Sequence, residues 1–133
     1  MASLLGRVSG FIFPFLKSSK ACLSNRMPAA IGYTTYAIAG VLITWSTTNI
    51  SLTNALIALL KISPIWFLLV ESVYVFNDIF DKEIDTRNDL DRPIAKGEAS
   101  SDKIMYLFIL LSAIVLTLST IINFATMLVS STF

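Results

Sequence analysis

The sequence predicts an all-α, multi-pass transmembrane helical bundle, and three observations carry that expectation. The 133-residue chain is 55% hydrophobic and 14% charged, with a mean hydropathy of +0.73, outside the usual balance of a soluble domain. Three apolar segments, 28–46, 52–76 and 104–122, each come near the ~20 residues with which a helix crosses a ~30 Å hydrocarbon core. The charge is segregated: all nine acids lie between Glu71 and Asp102, and the first 27 residues are basic.

Taken in order, residues 1–27 hold Arg7, Lys17, Lys20 and Arg26 around the apolar run "VSGFIFPFL". A signal peptide is disfavoured, because "KSSKACLS" lacks a small-x-small cleavage pattern and Lys20 spoils a lipobox at Cys22. A basic interfacial helix is the expectation. Span 1 at 28–46 and span 2 at 52–76 flank the uncharged link "STTNIS". Lys and Arg collect on the cytoplasmic side, so the N-terminus and the charged loop at 77–103 are expected inside and the link outside. "Asn49-Ile50-Ser51" has the form of a glycosylation acceptor, but so short a link beside the membrane makes the match a chance one.

Span 2 contains Lys61, Pro64 and Glu71. Lys61 can snorkel to the outer interface, whereas an acid such as Glu71 is expected to face a protein interior or a watery cavity. Span 3 runs over 104–122. Asn123 then interrupts it, and "FATMLVSSTF" reads as the start of a fourth span. The whole of 1–133 is expected to be a single membrane domain, incomplete at its last helix.

Histidine is absent and Cys22 is the only cysteine, which excludes Cys/His zinc sites, disulfides and a histidine base within this chain. The chemistry must come from carboxylates, amides, basic groups and hydroxyls. They concentrate in "NDIFDKEID", directly after span 2. On a helix Asp78, Asp81 and Asp85 fall at i, i+3 and i+7 and form one stripe, which Tyr74 and Glu71 extend backwards. Stacked carboxylates repel one another unless cations neutralise them. A hard divalent ion is the natural partner, and Mg²⁺ takes one or two carboxylates together with water and substrate phosphates. Arg92 and Lys96 follow as candidate phosphate-binding groups, with Gly97 permitting close backbone approach. Lys82, Glu83, Arg87, Asp89 and Asp91 read instead as solvated charges, with Asp78–Lys82 and Glu83–Arg87 as ordinary helical pairs.

The stretch "NDIFDKEIDTRNDLDRPIAKG" resembles the first aspartate-rich motif of the UbiA superfamily of intramembrane prenyltransferases. Asn77, Asp78, Asp81, Asp85, Arg92, Pro93 and Gly97 supply the matching positions. The resemblance implies part of a nine-helix membrane bundle around a central cavity. It also implies transfer of a prenyl group from a polyprenyl diphosphate to an aromatic or lipid-alcohol acceptor. In that setting Asp78, Asp81 and Asp85 would hold Mg²⁺ as the metal and catalytic residues, and Asn77, Arg92 and Lys96 would bind the diphosphate. The gap between Asp85 and Arg92 and the "RPI" that follows look most like the archaeal digeranylgeranylglyceryl phosphate synthases and the homogentisate or chlorophyll type enzymes.

Three departures qualify the match. The family carries a second aspartate-rich motif in its other half, and this chain has no acid after Asp102. Glu71 replaces what is usually a small residue, and Asn25 fits the polar position of the family's first helix only loosely. The chain therefore reads as the N-terminal part of a prenyltransferase. The alternative is a non-catalytic paralogue that kept the motif as a membrane binding or scaffold subunit. CDP-alcohol phosphotransferases need Asp-Gly and Ala-Arg dipeptides that are missing here. Expected partners are the prenyl donor, the acceptor and membrane lipids, with no nucleic acid; self-association is left open.

Overall fold

In the computed structural model, residues 2–122 are described, with side chains from residue 9 onward. Four helices follow one another: α1 (Ala2–Thr47), α2 (Leu52–Phe80), α3 (Lys82–Arg87) and α4 (Ser101–Ile122). The expected start of a fourth span at 123–133 lies outside the described residues.

Helix α1 is continuous across the expected boundary between an interfacial segment and span 1. Pro14 and Pro28 both lie inside it, each removing one backbone donor from the helical ladder. From Ser9 to Thr47 it has 39 residues, which at ~1.5 Å per residue is about 58 Å, nearly twice the hydrocarbon thickness. The basic N-terminal stretch is thus the continuation of the spanning helix. Helix α2, with 29 residues, extends about 43 Å, and α4, with 22, about 33 Å. The surplus in α2 allows its last turn, from Asn77 to Phe80, to stand at the membrane boundary. Among the described residues three helices are long and apolar enough to cross a bilayer, and large exposed side chains such as Phe13, Leu60 and Ile121 suit faces turned to lipid.

The link between α1 and α2 is short because Ser51 begins α2 at once. Its side chain accepts a hydrogen bond from the Asn54 N–H at 3.2 Å, satisfying one of the open donors of the first turn. This gives Ser51 a structural role in the place where the sequence shows a glycosylation pattern.

Helices α1 and α2 run antiparallel, with Arg26 against Asp78 and Tyr33 against Tyr74, while the Trp66 indole donates to the Tyr33 carbonyl at 3.1 Å. The other flank of α2 packs on α4, where Phe76 meets Phe108 and the Ser72 and Ser112 hydroxyls lie 2.9 Å apart. The core gathers Cys22, Val75, Ile94, Ala99, Ile104, Leu107 and Leu111. Ile94 and Ala99 belong to the loop between α3 and α4, so that loop is folded down onto the helices. Its backbone bonds close it further: Glu98 and Ala99 both donate to the Pro93 carbonyl, at 2.8 and 3.0 Å. Gly97 holds φ +75° there, a conformation that costs a side chain of L configuration about 1 kcal/mol.

Candidate functional site

Asp78 is the centre of the site. It stands in the last turn of α2 and is only 1% exposed, so its charge needs partners inside the protein. Arg26 of α1 supplies two of them: Nε donates to Oδ2 at 3.1 Å and Nη2 donates to Oδ1, a planar fork matched to the carboxylate. Arg92 supplies a third, Nη1 to Oδ1 at 2.8 Å. The Arg92 Nε also lies 3.7 Å from Asp85 Oδ2, so one guanidinium links the two buried acids of the motif. The Arg26 guanidinium rests over the Tyr74 ring, 4.9 Å from its centroid, at cation–π distance.

The expected single stripe of Asp78, Asp81 and Asp85 is corrected by a change of direction at Asp81. That residue ends α2 and begins α3 with ψ near 0°, and the Asp81 N–H to Asn77 and Asp85 N–H to Asp81 hydrogen bonds, both 2.8 Å, carry the backbone through the bend. Asp78 and Asp85 are buried, whereas Asp81 is exposed. No three carboxylates among the described residues converge into one metal-holding group. The expected Asp78–Lys82 helical pair is replaced by the two arginine contacts.

Asn77 is exposed and turned toward a groove of about 280 Å³ between α1 and α2, lined by Tyr33, Trp66, Leu69, Val70, Val73 and Tyr74. A charged cluster and an apolar, aromatic trough therefore share the same end of α2. Lys96 stands apart from Asp78. Its Nζ bonds Asp91 Oδ1 at 2.7 Å, and that hydrogen bond and the Asp91 charge push the lysine above its ordinary value. Asn25 ties the same loop to α1 by donating to the Asp91 carbonyl at 3.0 Å. Of the six expected site residues, Asp78, Asp85 and Arg92 come together, Asn77 faces the groove, Asp81 is exposed one turn from Asp78, and Lys96 is bonded to Asp91.

Arg26 is the residue that sequence reasoning missed. The only signal was its place in a basic N-terminal stretch, which membrane topology explained without any site. Nothing in the local spacing ties Arg26 to a carboxylate 52 positions away.

The sequence model of the UbiA prenyltransferase family matches residues 27–132. No curated protein and no solved structure matches the chain. The match spans well over half of the sequence, so the chain belongs to the UbiA prenyltransferase family. With its three membrane-length helices it is an integral membrane protein of a transferase family.

Proposed function

We propose that this UbiA-family chain contributes to Mg²⁺-dependent transfer of a prenyl group, within the membrane, from a polyprenyl diphosphate to an aromatic or hydroxyl acceptor. The observation that carries this reading is the convergence of Arg26 and Arg92 on Asp78 at the mouth of an apolar, aromatic groove. A prenyl diphosphate has the same division, with a compact polyanion at one end and a hydrocarbon tail at the other.

The donor set suits the ion. Asp78, Asp81 and Asp85 offer hard carboxylate oxygens, and Asp85 Oδ2 is buried without a hydrogen-bond partner. These residues would hold Mg²⁺, which when bound neutralises charge on the departing diphosphate. The chain's own side chains do the rest. Arg92 reaches both Asp78 and Asp85, so a slight rotation turns its remaining donors toward phosphate oxygens. Arg26 fixes the opposite edge, and Asn77 presents an amide where the charged cluster meets the groove. The Tyr33, Trp66 and Tyr74 rings face an allylic tail with negative π surfaces, suited to positive charge developing at its first carbons. In this reading the N-terminus and the aspartate-rich loop lie on the cytoplasmic side, following the basic residues of α1.

The test is diphosphate release from a polyprenyl diphosphate by the chain in lipid nanodiscs, with and without Mg²⁺. Turnover that disappears in Asp78→Asn and Arg92→Ala supports the reading. A second reading, a binding or scaffold subunit without catalysis, is favoured by one observation: both Asp78 oxygens are already held by arginines. Ligand binding without diphosphate release in every condition is its signature.

A further inference from the structure

We propose that Glu71 is a positioning residue for Arg26, the carboxylate that receives the guanidinium when a divalent cation takes Asp78. The proposal rests on the reading of Asp78 as a Mg²⁺ ligand. Its starting point is an unexplained group: Glu71 is 1% exposed, lies in the apolar body of α2, and has no hydrogen-bond partner on either carboxylate oxygen. Buried carboxylates are retained in such places when something charged can reach them. The charges whose fields reach Glu71 are Arg26 and Asp78.

The geometry makes Arg26 the visitor. Glu71, Tyr74 and Asp78 stand at i, i+3 and i+7 on one face of α2. Tyr74 sits between the two acids, about 4.5 Å of helical rise from one and about 6 Å from the other. Its ring already carries the Arg26 guanidinium, 4.9 Å above the centroid. The aromatic face is therefore a platform from which the same guanidinium can address either carboxylate. At present it forks onto both oxygens of Asp78, the oxygens a cation would need.

A cation and Arg26 compete for Asp78, and a displaced guanidinium within the protein interior needs another counter-charge. Glu71 supplies it, because its oxygens have no hydrogen-bond partner and it stands one turn from Tyr74, on the other side of that ring from Asp78. Arg26 then stays beside the site with a carboxylate partner of its own. Glu71 favours the cation-bound arrangement specifically, since it is unused while Arg26 holds Asp78; a residue that favours one of two states shifts the equilibrium toward it.

The experiment is Mg²⁺ titration by calorimetry on the full chain in nanodiscs, in a double-mutant cycle. Glu71→Gln weakens Mg²⁺ binding roughly five- to tenfold in the parent, and changes it less than about twofold when Arg26 is already Gln. Glu71→Asp, which keeps the carboxylate, retains most of the parent affinity. An equal fall in both backgrounds shows that Glu71 contributes only its negative charge and overturns the proposal. An unchanged affinity in Glu71→Gln also overturns it. Should Glu71→Gln lose its helical circular dichroism, Arg26→Gln alone decides: removal of the competitor strengthens Mg²⁺ binding, and a weakened or unchanged affinity refutes the competition. Asp78→Asn is the separate control. If it leaves Mg²⁺ affinity intact, the reading of Asp78 itself fails, whatever Glu71 does.

Discussion

Removing the Arg26 side chain tests whether the contact between α1 and α2 is as dominant as its geometry indicates. Asp78 is 1% exposed and Arg26 13%, so neither charge is well solvated when the other is lost. Arg26→Met keeps most of the apolar stem while deleting two charge-assisted hydrogen bonds, each worth ~1.5–3 kcal/mol. Arg92 continues to neutralise Asp78, which brings the expected loss to about 3 kcal/mol, the lower end for breaking a buried pair. Asp78→Asn is expected to cost a similar amount. The two changes combined are expected to fall about 2 kcal/mol short of the sum, since each removes the same contact. The exposed Lys96–Asp91 pair, 46% and 87% accessible, serves as the comparison and should couple far more weakly, because solvent screens it. Unfolding free energies from SDS titration in mixed micelles give all of these terms. If Arg26 and Asp78 couple no more strongly than Lys96 and Asp91, the reasoning from burial is wrong.

Three further outcomes are expected. Gly97→Ala meets no atom within 4 Å of the added Cβ, yet must hold φ +75°, so about 1 kcal/mol of stability is lost through backbone strain alone, and Gly97→Asn loses less in the same titration. Ser51→Ala removes the cap on Asn54 and destabilises by ~1 kcal/mol, with Ser51→Asp retaining full stability. Lys96 has a pKa raised by Asp91, so the pair's contribution is present at neutral pH and fades only as pH rises beyond the ordinary lysine value of ~10.4. The stability difference between the parent and Lys96→Met is therefore constant from pH 7 to 9, and a decline within that window contradicts the assignment.

The membrane helices were legible because hydrophobic length is a one-dimensional property. Leu52–Phe80 and Ser101–Ile122 could be read from apolar runs without knowing what packs on them. The continuity of α1 was not legible in the same way. Pro28 and the change from basic to apolar composition suggest a boundary, yet a helix that exceeds the bilayer thickness can cross such a composition change unbroken. In the site, the types of residue were legible and their grouping was not. Spacing alone places Asp78, Asp81 and Asp85 on one stripe only if the helix is uninterrupted, and the bend at Asp81 turns that residue outward while Asp85 folds back toward Arg92. Arg26 could not be found by spacing at all, because antiparallel packing of α1 and α2 brings it to Asp78.

That packing bears on how a charged site persists at the end of a membrane helix. Asp78 and Asp85 alone would place two buried negative charges within one structure, and Arg92 alone could not satisfy both while its Nε stands 3.7 Å from Asp85. Arg26 adds a second guanidinium, so that both oxygens of Asp78 are held by arginines before any cation arrives. An Asp78 held in this way can admit Mg²⁺ only by moving a positive charge aside, so cation binding and the position of Arg26 are coupled by electrostatics. The vacant oxygens of Glu71 then cease to be an anomaly, because they lie along the face on which the displaced charge can move.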